Sequence, residues 1–156
     1  MITADQLVAH AVGDYILQSD WMATEKVKRS TAALAHVLAY SMPFLFLTQS
    51  WKALAIIIVS HFVIDRWRLA RYVCWAKNHL APKWLRETWG GSMELRLVSP
   101  SPETAGCKAV RNWPWYECTK TGYPPDRPDW LTVWLLIIAD NTLHVLCNGL
   151  ALKYFG

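Results

Sequence analysis

Charge is scarce in this chain of 156 residues. Asp, Glu, Lys and Arg account for 18% and hydrophobic residues for 53%, against about 25% and roughly 45–50% in ordinary soluble domains. The shortage leans the composition toward lipid. The mean hydropathy is only +0.12 because it averages apolar segments with a polar stretch from Lys77 to Asp129. A basic stripe is also missing, so the net charge of +4 suits anionic lipid headgroups better than a nucleic acid, and no nucleic-acid partner is expected. Cys74, Cys107, Cys118 and Cys147 lack the close pairing of zinc ribbons or redox motifs, which leaves ordinary buried thiols. A bridge between Cys107 and Cys118 is conceivable only if their loop faces an oxidising compartment. The adjacent His-Asp dipeptide used by soluble all-helical phosphohydrolases is absent. The N-terminus lacks the basic start of a signal peptide, so the first apolar stretch is expected to stay in the mature protein.

Tryptophan, by contrast, is abundant. There are ten, and Trp21, Trp51, Trp67 and Trp130 flank apolar segments, where an amphipathic ring suits a membrane interface. A soluble core rich in Trp is the competing reading. Four apolar segments can be drawn, at about residues 2–18, 32–49, 53–65 and 130–154. The first is short for a full crossing, so tilt, re-entry or local thinning of the bilayer is open to it. Pro43 is placed to kink the second. The third runs into the basic stretch Arg66 to Arg71. Residues 77–129, rich in Pro, Gly, Trp and charge, read as an extramembrane loop or small insertion in a single domain spanning 1–156. Lys26, Lys28 and Arg29 lie in the first connection and many basic residues in the third, so the positive-inside rule puts both in the cytoplasm. The expected fold is all-α: a polytopic bundle of about four apolar helices in the bacterial inner membrane, with a cytoplasmic loop.

Ionisable residues inside apolar helices need a reason, because each costs a few kcal/mol at bilayer depth. Three pairs share a four-residue step: His10 with Asp14, His61 with Asp65, and Asp140 with His144. Each pair faces one way from its helix. His36 adds a fourth imidazole, and only His79 falls outside an apolar segment. Under the topology above, Asp14 and Asp65 lie near the cytoplasmic helix ends, with His10 and His61 about 6 Å deeper. One pocket could collect most of them. His10, Asp14, His36, His61, Asp65, Asp140 and His144 are therefore candidate ligands for a divalent ion, zinc first, with manganese and iron as alternatives. An Asp one turn from a His could instead fix that ring's tautomer from outside the ligand set, so ligand and helper are not separable at this stage. Each pair could also be a plain interhelical hydrogen bond, worth about 0.6 kcal/mol in membranes. Gln18, Lys26 and Asn141 are candidates for orienting substrate or water, while Lys26, Lys28 and Arg29 also serve as ordinary positive-inside residues. Asn148 reads as packing glue.

The string from Ala9 to Ala23 (AHAVGDYILQSDWMA), followed by Lys26, resembles the opening of domain-of-unknown-function family 3307, small membrane proteins of bacteria and phages. His36, the stretch His61-Phe62-Val63-Ile64-Asp65 and the stretch Asp140 to His144 resemble that family's later motifs, with Asn141 where a Gln is expected. The resemblance implies membrane location and importance of the His and Asp positions, and no activity. From the residues, three functions compete. One is a metal-dependent hydrolase acting on a lipid or a membrane-adjacent amide, ester or phosphoester, with Asp14, Asp65 and Asp140 as ligand, general base or tautomer-fixing partner. Another is a transporter of metal ions or protons. The third is a non-catalytic adaptor that binds a protein partner, such as a host protein, through the Trp-rich loop. Oligomeric state, including a homo-oligomer, is left open.

Overall fold

The computed structural model describes residues 2–80, 114–125 and 127–156. Among these residues the regular structure is helical and no strand occurs. Six α-helices carry the fold: α1 (Ala4–Ala11), α2 (Asp20–Glu25), α3 (Ser30–Ser41), α4 (Trp51–Trp67), α5 (Leu69–Leu80) and α6 (Asp129–Phe155). A π-helical turn, Val12–Ile16, continues α1, and a 3-10 turn, Met42–Phe46, continues α3. The long α6 packs on α4, α5 and α1, while α3 lies against α4.

Local chemistry accounts for most of the boundaries. Thr3, Ser19 and Ser50 each stand at an N-cap with the side-chain oxygen accepting from a backbone N–H three residues on, which satisfies a donor the helix start leaves open. Pro43 enters the 3-10 turn near its first position, where its missing N–H costs little, so the kink expected from it becomes a change of helix type. Arg68 closes α4 in the left-handed region at φ 50° and ψ 52°, a conformation costing a non-glycine residue about 1 kcal/mol. The chain then restarts as α5, a helix that reaches into the stretch read from sequence as loop.

The segment around Trp115 docks on α5. Arg68 and Arg71 donate to the carbonyls of Lys120 and Thr119, and Tyr72 stacks on Trp115 with ring centroids 4.4 Å apart. Gly122, at φ +80°, presses on the Arg71 carbonyl, where a Cβ would collide. Burial holds the Cys74 thiol beneath it above its ordinary pKa, so it stays protonated and inert. The Cys107 end of the conceivable bridge, and most of the 77–129 stretch, lie outside the described residues.

The apolar core is small: Ala9, Tyr40, Phe44, Ile57 and Ala151. Trp21, Trp51, Trp67 and Trp130 are all exposed, so these four do not pack a core among the described residues. Among the described residues one helix, α6 with 27 residues, is long and apolar enough to cross a membrane, where about four were expected; the apolar stretch Ser30–Phe46 is shorter.

Candidate metal centre

Four elements bring their polar side chains to one buried point. The π-helical turn supplies Asp14, α3 supplies His36, α4 supplies His61 and Asp65, and α6 supplies Asp140 and His144. The π-turn widens the helix where π-bulges often accompany functional sites, and here it lets Gly13 sit against α3. A Cβ on Gly13 would lie 2.5 Å from Tyr40 Cδ2 and 2.9 Å from the Tyr40 carbonyl oxygen. Only glycine allows that approach, and the neighbouring Asp14 is thereby carried into the cluster.

The donor atoms are tightly set. His36 Nε2 lies 3.0 Å from His61 Nε2, 3.2 Å from Asp14 Oδ1 and 3.1 Å from Asp65 Oδ2. His61 Nε2 lies 3.4 Å from Asp14 Oδ1 and 3.2 Å from Asp65 Oδ2. On the other side, His144 Nε2 is 3.4 Å from both Asp65 Oδ1 and Asp140 Oδ2. Ligands about 2.1 Å from one ion stand about 3.4 Å apart when tetrahedral and about 3.0 Å apart when octahedral. The observed edges fall in that interval. Moreover, Asp14 Oδ1, Asp65 Oδ2 and His144 Nε2 are buried without a well-directed hydrogen bond, so their compensation rests on ion pairs with Lys26 and the neighbouring cluster groups. Three groups could hold an ion: Asp14, His61 and His144; His36, His61 and Asp65; and Asp65, Asp140 and His144.

Around the donors stands a supporting layer. Tyr40 lies over His61 with centroids 3.7 Å apart, and its hydroxyl accepts from Asn148 Nδ2 at 2.6 Å while bonding His10 Nδ1 at 2.8 Å. Packing of this kind orients His36 and His61, whose Nδ1 atoms have no hydrogen-bond partner among the described residues. Lys26 Nζ meets Asp65 Oδ2 at 2.9 Å and donates to Gln18 Oε1 at 2.8 Å. Arg66 fixes that connection by donating to the Val27 carbonyl at 2.6 Å.

The residues singled out from sequence thus divide. Asp14, His36, His61, Asp65, Asp140 and His144 come together. His10 stands beside them at 3.5 Å from Asp14 Oδ2, with its other nitrogen bonded to Asn141 Oδ1 at 2.8 Å. With both nitrogens engaged it supports the cluster from outside the three ion-holding groups. Asn141 is likewise occupied, accepting from Tyr15 at 3.0 Å and donating to the Ile137 carbonyl at 2.8 Å, so it positions His10. Lys26 reaches the cluster itself, and Gln18 touches it through Lys26. His79 lies apart, its ring 4.5 Å from Trp75. Sequence reasoning passed over Tyr40, Gly13 and Gln6. The signal for two of them was the step of four that marked the histidines: Tyr40 follows His36 by four, and Gln6, fully buried and bonded to the Val145 carbonyl, precedes His10 by four.

No match was found among curated proteins or among solved structures. Residues 2–84, more than half of the chain, match the family described as "Protein of unknown function (DUF3307)". That stretch holds Asp14, Gln18, Lys26, His36, His61 and Asp65, whereas Asp140 and His144 lie beyond it. The chain belongs to the DUF3307 family.

Proposed function

We propose that this protein is an integral membrane hydrolase dependent on a divalent metal ion, acting on a lipid or on an amide, ester or phosphoester at the membrane surface. One observation carries the reading: His36, His61, Asp14 and Asp65 hold donor atoms 3.0–3.4 Å apart, the edge length of a metal's ligand shell, while Asp14 Oδ1 and Asp65 Oδ2 are buried without a well-directed hydrogen bond. Imidazole and carboxylate suit zinc first, then manganese or iron. Such an ion polarises the scissile group and lowers the pKa of a water beside it to about 7. The chain's own contribution is to orient the imidazoles through Tyr40, to place a cation, Lys26, at the mouth, and to set Asp140, the least buried carboxylate of the cluster, beside His144.

Membrane residence is supported by the outer faces. Leu38, Met42, Phe46, Val59, Trp134, Ile138 and Leu150 are all at least half exposed, while histidines and aspartates fill the interior. In a bundle of four apolar segments, α4 with 17 residues and Ser30–Phe46 sit at the short end of the roughly 17–25 residues a crossing needs, and tilted or thinned lipid accommodates the first segment. Orientation by positive charge puts Lys26 and the cluster's mouth in the cytoplasm. Transport ranks below hydrolysis because Phe44 and Ile57, each fully buried, close the cluster one turn beyond Tyr40 and His61, on the side away from Lys26. An adaptor role would rest on residues 77–129, most of which lie outside the described residues.

Elemental analysis of detergent-purified wild type beside His61→Ala tests the reading. Stoichiometric metal in the wild type, lost from a folded His61→Ala, is the expected result. A wild type free of metal after growth with each of the three ions overturns it.

A further inference from the structure

Asp65 turns its two oxygens to different partners. Oδ2 faces His36, His61 and Lys26, whereas Oδ1 faces His144, which in turn lies against Asp140. The donors therefore form two groups that share one carboxylate, and Asp14 lies near both, grouped with His61 and His144 within 4.8 Å. The rings of His61 and His144 are stacked, with centroids 4.0 Å apart and planes at 24°, and each directs Nε2 toward a different oxygen of Asp65. Near-parallel imidazoles that bind in their own planes hold ions about as far apart as the rings are. Two-metal hydrolytic centres hold theirs about 3.5–4 Å apart. One ion among His36, His61 and Asp65 would leave His144 Nε2 buried with no hydrogen bond, 3.4 Å from both Asp65 Oδ1 and Asp140 Oδ2.

Resting on the metallohydrolase reading above, we propose that the centre takes two divalent cations bridged by Asp65, and that its substrate is a phosphoester. His36, His61 and Asp65 Oδ2 hold the first with Asp14, and His144, Asp140 and Asp65 Oδ1 hold the second. Charge points to the substrate class. Three carboxylates meet one ammonium here, so two divalent ions leave the centre positive and ready for an anion. An ion at Asp65 Oδ2 also takes the place of the Lys26 ammonium, which is then free, beside Gln18, to contact a phosphoryl oxygen. In the reaction, water's oxygen forms the new P–O bond, the P–O bond to the alcohol breaks, and a proton from the water ends on the departing alcohol oxygen. A neutral amide, unlike a phosphodiester, brings no ground-state charge for that excess of positive charge to bind.

The test uses the full chain in detergent, stripped with chelator and titrated with Mn(II), with bound ions counted by elemental analysis and their coupling read by electron paramagnetic resonance. Two ions per chain with a coupled spectrum are expected in the wild type, and one uncoupled ion in His144→Ala. If that variant aggregates, Asp140→Asn and His144→Gln carry the same expectation. One ion in the wild type, unchanged by these substitutions, overturns the pair and leaves the single-metal reading standing; no ion overturns both. With bis(p-nitrophenyl) phosphate and p-nitrophenyl acetate as probes, cleavage of the phosphodiester supports the substrate class. Turnover of the acetate alone refutes it.

Discussion

The inside of this bundle and the outside of the same helices have exchanged their usual contents. On α3, His36 and Tyr40 are fully buried while Leu34 and Leu38 are each half exposed. On α6, His144 and Asn148 face inward while Leu146 and Leu150 face out. In water this would be an unstable bargain, since burying polar groups costs free energy and exposing leucine gains none. In the proposed membrane setting lipid would reverse the second half of that balance, and a bound ion would offset the first. The α5 region shows the other regime within one chain: Ala70 and Cys74 face in, and Arg68 and Arg71 reach across the surface to a docked turn. The two parts thus differ in which face their polar residues take.

Substitutions can break or sharpen this comparison. The largest effect is expected from Lys26→Met, which removes the partner of a buried carboxylate. In chelator it should lower stability by about 3 kcal/mol, and added zinc should close most of the gap, as followed by thermal unfolding in detergent. A deficit that zinc leaves untouched would separate Lys26 from the metal centre. Next comes Gly13→Ala, whose Cβ meets Tyr40 side chain and backbone. A loss of about 1–3 kcal/mol is expected from overpacking, with reduced metal affinity by titration because Asp14 moves with the π-turn. Wild-type stability in this variant would mean that α1 and α3 are not held this closely. The smallest effect belongs to the outer face: Leu38→Ala should shift stability by less than about 0.5 kcal/mol. A core-sized loss there would reveal a protein partner covering α3 in place of lipid.

The sequence made the donors legible for a simple reason. A step of four residues on a helix fixes a shared face without any knowledge of the rest of the fold, so the His10, His61 and His144 pairs could be read from spacing alone. What spacing could not supply was the third dimension. His10 and His144 look equivalent as letters, each four residues from an aspartate, yet one has both nitrogens hydrogen-bonded and the other has an Nε2 with no hydrogen bond, set between two carboxylates. The distinction is made by Tyr40 and Asn141, which belong to other helices. The π-turn was likewise hidden, because Val-Gly-Asp-Tyr-Ile carries no signal that separates it from a continuing α-helix. Its cause is the close approach to Tyr40, a tertiary demand. The break between α4 and α5 falls at Arg68, a residue type that seldom takes a positive φ, so a polar run hid a second helix.

The contact between Lys26 and Asp65 also bears on how the protein comes to exist. Zinc fingers and similar small domains stay unfolded until metal arrives, because their ligands cannot gather without it. Here a lysine ten residues upstream of His36 and hydrogen-bonded to Gln18 reaches the central carboxylate by itself. The newly made chain therefore carries a counter-ion of its own for that carboxylate. If the centre takes metal as proposed, helix assembly would not have to wait for it, and loading would be a later, separate step.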